Sequence, residues 1–158
     1  MSELKAYEGK STGGILAVYL QLVENVIQIP SASGINLSND INPSSFQKIN
    51  PLDSTARFKE TSKVIHGSQS YNYEIPFSIR KDRSVVTQLL SNLMNRKLIA
   101  ITEDFEGLRR VIGSLDEPAR LNWTFNKGES ISSPNRYDVV ITCQQTNPAY
   151  YYSGNLSS

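Results

Sequence analysis

A single cysteine and a single histidine stand among the 158 residues. Cys143 makes no internal disulfide, so the chain must be stable without that staple. One His and one Cys also fall short of the donors of a typical structural zinc site. Charge of one sign is missing: 16 Lys+Arg against 15 Asp+Glu leave +1. That balance removes the electrostatic reason to expect nucleic acid or an anionic membrane as the main partner. No run approaches the ~20 apolar residues of a transmembrane helix. The opening "MSELKAYEGKSTGG" has no apolar core for a secretion signal, so cytoplasmic synthesis is the simplest expectation. The sequons at Asn36, Asn122 and Asn155 then carry little weight, because glycosylation needs secretion.

What is present reads as one domain. Residues 1–14 are polar with three glycines, a flexible arm. Residues 15–22 are rich in β-branched and aromatic side chains and apolar on both alternating faces, as in a strand covered on both sides. Glu24-Asn25 reads as a tight turn into a short strand at 26–29. Residues 31–55 are dominated by Ser, Asn, Asp, Pro and Gly, a loop too long to be an ordinary connection. Its embedded Ile35, Leu37, Ile41, Phe46, Ile49 and Leu52 are more than a solvated linker needs, and predict docking on the parent domain or on a neighbouring subunit.

The clearest β signal follows. In "YNYEIPFSIR", Tyr71, Tyr73, Ile75, Phe77 and Ile79 face one way, and Asn72, Glu74, Ser78 and Arg80 the other. Its hairpin partner is "ARFKETSKVI", through the turn "HGSQS", with Arg57, Lys59, Thr61 and Lys63 on a polar face. Asp82 is a good N-cap for one helix carrying Val85, Val86, Leu89, Leu90, Leu93 and Met94 at helical spacing. Then come a hairpin turning at "DFEG", a strand "ARLNWTFN", a loop over 126–135, a strand "RYDVVITCQQ", and a tail with Tyr150, Tyr151 and Tyr152. Residues 15–152 form the domain, and 153–158 a C-terminal tail. The fold expected is mainly β: an antiparallel sandwich or barrel with one packed helix.

Candidate chemistry is thin. Glu103, Asp104 and Glu106 crowd four positions, but a hairpin tip is where water solvates carboxylates, and the segment is too short for a calcium loop. "EGKST" holds half of a phosphate-binding pattern, yet Leu4 stands where the first glycine belongs and no strand precedes it. His66 lies in a turn without a nucleophile and carboxylate beside it in sequence. Cys143 alternates with Ile141 and Val139 as a small core residue. The basic side chains are too sparse for a committed nucleic-acid surface. No catalytic, cofactor or metal site emerges, and the chain reads as a non-enzyme.

The order of elements resembles the tail-tube and related tail proteins of tailed bacteriophages. It is carried by the hairpin "ARFKETSKVI"/"YNYEIPFSIR", the single helix "RSVVTQLLSNLMNR", the short hairpin "LIAITEDFEGLRRVIG", and the closing strands "ARLNWTF" and "YDVVITCQQ" leading to "PAYYY". The resemblance implies a virion subunit, assembled in the host cytoplasm, that forms stacked rings, usually hexameric. Sheets of neighbouring subunits join around a channel through which DNA passes without sequence-specific binding. Partners would be copies of itself and other tail or connector proteins. A terminator, connector or baseplate component shares the fold. On this reading Ile35, Leu37, Ile41, Phe46, Ile49, Leu52 and Tyr150, Tyr151, Tyr152 are inter-subunit candidates, the long loop reaching a neighbouring ring. Arg57, Lys59, Lys63, Asn72, Glu74 and Ser78 are lumen candidates. Family lumens are often acidic, whereas the polar face of 56–65 is basic, with Glu60 on the other face. A monomeric β-barrel holding a small ligand in an enclosed apolar pocket is the rival, and a hydrolase would require His66 in a cleft beside a carboxylate.

Overall fold

The computed structural model describes residues 14–25, 36–37, 46–52, 55–80, 84–114, 116–126 and 135–152. Residues 1–13 of the arm expected over 1–14, the strand at 26–29, Ile35 and Ile41, the N-cap Asp82 and the tail 153–158 lie outside them.

Among the described residues ten strands and one helix follow in order: β1 (Ile15–Leu22), a 3₁₀ turn (Val23–Asn25), β2 (Asn36–Leu37), β3 (Gln47–Ile49), β4 (Lys59–Ile65), β5 (Ser68–Arg80), α1 (Ser84–Leu93), β6 (Leu98–Asp104), β7 (Arg109–Ile112), β8 (Arg120–Asn126), β9 (Arg136–Gln145) and β10 (Tyr150–Tyr152). They form two sheets, a six-stranded one in the order β2-β10-β7-β6-β1-β3 and a four-stranded one in the order β4-β5-β9-β8. The protein is mainly β, sandwich-like, with no closed barrel among the described residues.

The four-stranded sheet follows from alternation. Tyr73, Ile75 and Phe77 of β5, Leu121 of β8, and Tyr137, Val139, Ile141 and Cys143 of β9 point into the core. There they meet Val18 and Leu20 of β1, Leu98 and Ala100 of β6, and Leu90 and Leu93 of α1. The opposite face of β1 and β6 carries a second cluster, Ala17, Tyr19, Ile99 and Ile101 with Tyr152, so β1 is buried on both sides as its composition requires. Leu16 is the exception, an exposed residue at a register shift between Ile15 and Ala17.

The β4–β5 turn is tighter than the five residues read from sequence. His66 and Gly67 both take positive φ, 51° and 79°, and Ile65 pairs with Ser68. That is the two-residue geometry whose twist matches the strands. Helix α1 buries Leu90 and Leu93 but leaves Val85 72% exposed, and Asn95 ends it at φ 61°.

Two contacts orient the sheets. Gly113 N donates to Gln145 Oε1 of β9 at 2.7 Å, and Arg110 reaches Glu60 of β4 at 3.1 Å. Strand β7 therefore crosses the four-stranded sheet from β9 towards β4, carrying the β6–β7 turn to the β4 margin.

Candidate assembly surface

β4 and β8 form the two margins of the four-stranded sheet, and among the described residues each is paired on one side only. Each is seven residues long, so each leaves a full-length row of backbone donors and acceptors open. β4 is exposed along nearly its whole length, with Val64 73% exposed. The third margin-like strands, β2 and β3, are only two and three residues long.

One face of this sheet is wet. Alternation puts Lys59, Thr61 and Lys63 of β4, Asn72 and Glu74 of β5, Thr142 and Gln144 of β9, and Arg120, Asn122 and Thr124 of β8 on it. An open groove of about 420 Å³ crosses all four strands, lined by Lys59, Asn72, Glu74, Arg120 and Thr142. Three expected lumen residues, Lys59, Asn72 and Glu74, thus come together. Lys63 lies nearer the hairpin tip beside Gln69 and Tyr71. Ser78 is corrected: it is buried, its hydroxyl donating to Asp138 at 2.7 Å. Arg57 is exposed just before β4 and lines a different groove with Phe58, Leu108 and Arg110.

The inter-subunit candidates divide likewise. Ile49 is buried in the main core and pairs with Val18, so it serves its own subunit, and β3 takes residues 47–49 out of the expected loop. Leu52 N donates to Ser78 O at 2.8 Å, fastening the end of that loop to β5. Tyr152 is buried in the second cluster, and Phe46 and Tyr150 pack against it. Residue 37 pairs in parallel with Tyr152. Tyr151 stacks its ring on the Arg110 guanidinium, 4.8 Å away.

Arg110 is the residue that sequence reading missed. Its guanidinium lies between the rings of Phe58 and Tyr151, at 5.0 and 4.8 Å, and donates to Glu60 and to Ala149 O at 3.2 Å. Glu60 also accepts the Tyr73 hydroxyl at 2.9 Å, and Tyr73 accepts Ala149 N–H at 2.6 Å. Burial first, then Glu60, raises the Tyr73 pKa, so the phenol stays a donor. The signal was Glu60, which alternates onto the apolar side of β4 and needs a cation there.

Two of the three neighbouring carboxylates are spent on structure. Asp104 Oδ1 accepts the amides of Glu106 and Leu108, each at 2.9 Å, and Glu103 pairs with Arg109 at 3.4 Å. Among the described residues no three His, Cys, Asp or Glu side chains converge as metal ligands. The turn leaves Phe105 and Leu108 about half exposed at the β4 margin.

Cys143 is buried, and burial, reinforced by the Glu117 carboxylate, pushes its thiol up to about 12. The folded state therefore favours the protonated thiol. That stability is whole below the unfolded value near 9 and is lost as pH climbs through about 12. Denaturant melts between pH 8 and 12 are expected to show a decline that Cys143→Ala flattens by on the order of 3 kcal/mol. An unchanged decline removes the thiol as its source.

No family model matches the chain, and neither a curated protein nor a solved structure shows significant similarity to it.

Proposed function

We propose that this chain is a tail-tube-type structural subunit that joins copies of itself, edge to edge, into rings that stack around a channel. One observation carries the reading: two open, equal-length edge strands bound a single four-stranded sheet with one wet face. A patch at one margin that fits a different patch at the other is a head-to-tail interface, and such interfaces close into rings when the rotation permits. Joining also removes the aggregation hazard of two unprotected edges. The resemblance supplies the expected number, six copies, and the channel's cargo, DNA.

On this reading the wet face lines the channel. Its exposed Lys59, Lys63 and Arg120 outnumber its exposed Glu74, so the wall attracts a phosphate backbone weakly, without sequence preference and in a salt-sensitive way. That differs from the acidic lumens common in the family.

Negative-stain electron microscopy of the concentrated protein tests the proposal. Rings or tubes with a central hole support it, and a uniformly monomeric sample at all concentrations overturns self-assembly. Rings that never stack move the chain to a terminator or connector role. Val64→Lys sharpens the test. A side chain so exposed costs little in the free subunit, within about 0.5 kcal/mol, so its melt is expected unchanged. A charge on the joining strand is expected to abolish rings, and persisting rings would exclude β4 from the joint.

A further inference from the structure

The edge-to-edge reading leaves open which residues meet, and the stagger of the four-stranded sheet answers that. We infer that β4 of one copy pairs antiparallel with β8 of the next in a single register, Lys59 opposite Asn126 and Ile65 opposite Arg120. The inference rests on the ring proposal above.

Direction comes first. Strands β4, β5, β9 and β8 alternate, so copies in the same orientation place β8 antiparallel to β4. Faces come next. In this register Lys63 meets Asn122 and Thr61 meets Thr124 on the wet side, while Val64 meets Leu121 beside the half-buried Trp123 on the apolar side. All seven residues of each strand are paired. A one-residue slip sets polar β4 residues against Trp123 and Phe125. A two-residue slip one way sets Lys63 directly against Arg120, like charge on like charge, and the other way leaves strand ends unpaired.

The stagger is the third argument. Lys59 and Thr142 both lie opposite Glu74, and Arg120 lies opposite Thr142. β4 thus starts at the level where β8 starts and runs the opposite way. Full overlap requires each copy to slide along the strands by about six residue steps, ~20 Å at ~3.3 Å each. Four strands at ~4.8 Å make the sheet ~19 Å wide. A slide of that size over that width inclines the strands ~45° to the ring axis, at the upper end of the ~35–45° of closed barrels. Every copy adds the same slide and width, so the inclination holds for any ring number. The offset edges are what a closed cylinder needs.

The same slide brings the end of the neighbour's β8 to the base of β4, where Phe105 and Leu108 project. Phe125 and Thr87 both contact Tyr137, so the start of α1, with exposed Val85, arrives there too.

The double variant Lys63→Cys/Asn122→Cys tests the register. Within one chain the two positions lie on opposite margins, separated by β5 and β9, too far apart for a disulfide. Opposite each other across a joint they are within reach. Mild oxidation of assembled rings is expected to give a ladder of covalent multimers on non-reducing gels, ending at the ring number. Lys63→Cys/Arg120→Cys and Lys63→Cys/Thr124→Cys, the pairs that the two-residue slips would bring together, are expected to stay monomeric on the gel. Rings that link through either of these instead overturn the register and leave the ring proposal standing. Rings that link through none of the three pairs overturn the β4–β8 joint itself. Protein that forms neither rings nor links overturns both.

Discussion

Gly113→Ala is expected to cost about 2–5 kcal/mol, left-handed strain plus overpacking against backbone, a large share of the roughly 5–15 kcal/mol a whole domain carries. Gly113 has φ 94°, a conformation L side chains avoid at about 1–2 kcal/mol. The added Cβ would also lie 2.6 Å from Leu98 O, 3.2 Å from Ala119 N and 3.3 Å from Ile99 Cα. All three are backbone atoms of the bridge that ties β6 to the start of β8, where Leu98 and Ala119 exchange both hydrogen bonds. Nothing there can yield cheaply. Gly113 N also donates to Gln145 Oε1, so a shift of this residue pulls on β9 as well. Gly107→Ala is the matched control, with φ 84° and no neighbour within 4 Å of its added Cβ, and only the strain of about 1–2 kcal/mol is expected. Urea midpoints of the two variants separate conformational strain from collision. Equal losses would show that the crowding at Gly113 relaxes.

The strands that alternate strictly were legible in sequence. Tyr71 to Ile79, Leu121 to Phe125 and Tyr137 to Cys143 each announce an inner and an outer face, and the described sheet follows them. Gly107 and the acidic residues before it announce a turn, and Asp104 closes it. Boundaries set by competing signals were less legible. Ser68 and Ser70 read as turn residues, yet His66 and Gly67 make the whole turn and β5 runs through both serines. Val85 kept the helical period but lies at the first turn of α1, where the core no longer reaches.

The candidate surface was legible only in part, because its decisive property is long-range. Nothing local to β4 or β8 says that β5 and β9 will lie between them, with β6 and β7 leaving for the other sheet. Edge status follows from that order alone. The same limit explains Ile49, Tyr152 and Ser78. An apolar side chain in a polar loop predicts burial, but not whose core receives it, and β3 and β10 return these residues to their own subunit. Ser78 alternates onto the wet face as read, yet Asp138 on the adjacent strand covers it.

Arg110→Leu is the second large effect expected, about 2–3 kcal/mol in stability with a proportionally greater loss of assembly. The Arg110–Glu60 pair is mostly buried, with side chains 19% and 27% exposed. Removing one partner of a fully buried pair costs about 3–5 kcal/mol, and the residual exposure here lowers that. Leucine keeps much of the volume between Phe58 and Tyr151 but gives up the charge held between their faces, and it strands the Glu60 carboxylate against the apolar side of β4. Arg110→Lys should recover only part, because one ammonium cannot reach Glu60 and Ala149 O as the guanidinium fork does. The consequence for assembly follows from position. Among the described residues β4 is paired to the molecule by β5 alone, and Arg110 is a cross-sheet tie that holds its turn-distal end, Glu60 and the preceding Phe58, against β7 and β10. A loosened edge must be ordered again when a neighbour joins, so each joint bears the cost and a ring bears it at every contact. Sedimentation of Arg110→Leu at concentrations where the native chain forms rings is expected to show subunits, and the melt of those subunits should still be cooperative. Full ring formation with a lowered melt would confine Arg110 to the stability of the single subunit. Glu60→Gln then discriminates further: it keeps an acceptor for the Tyr73 hydroxyl while removing the charge, so it should weaken assembly less than Arg110→Leu if ordering of β4, rather than charge at the joint, is what the tie supplies.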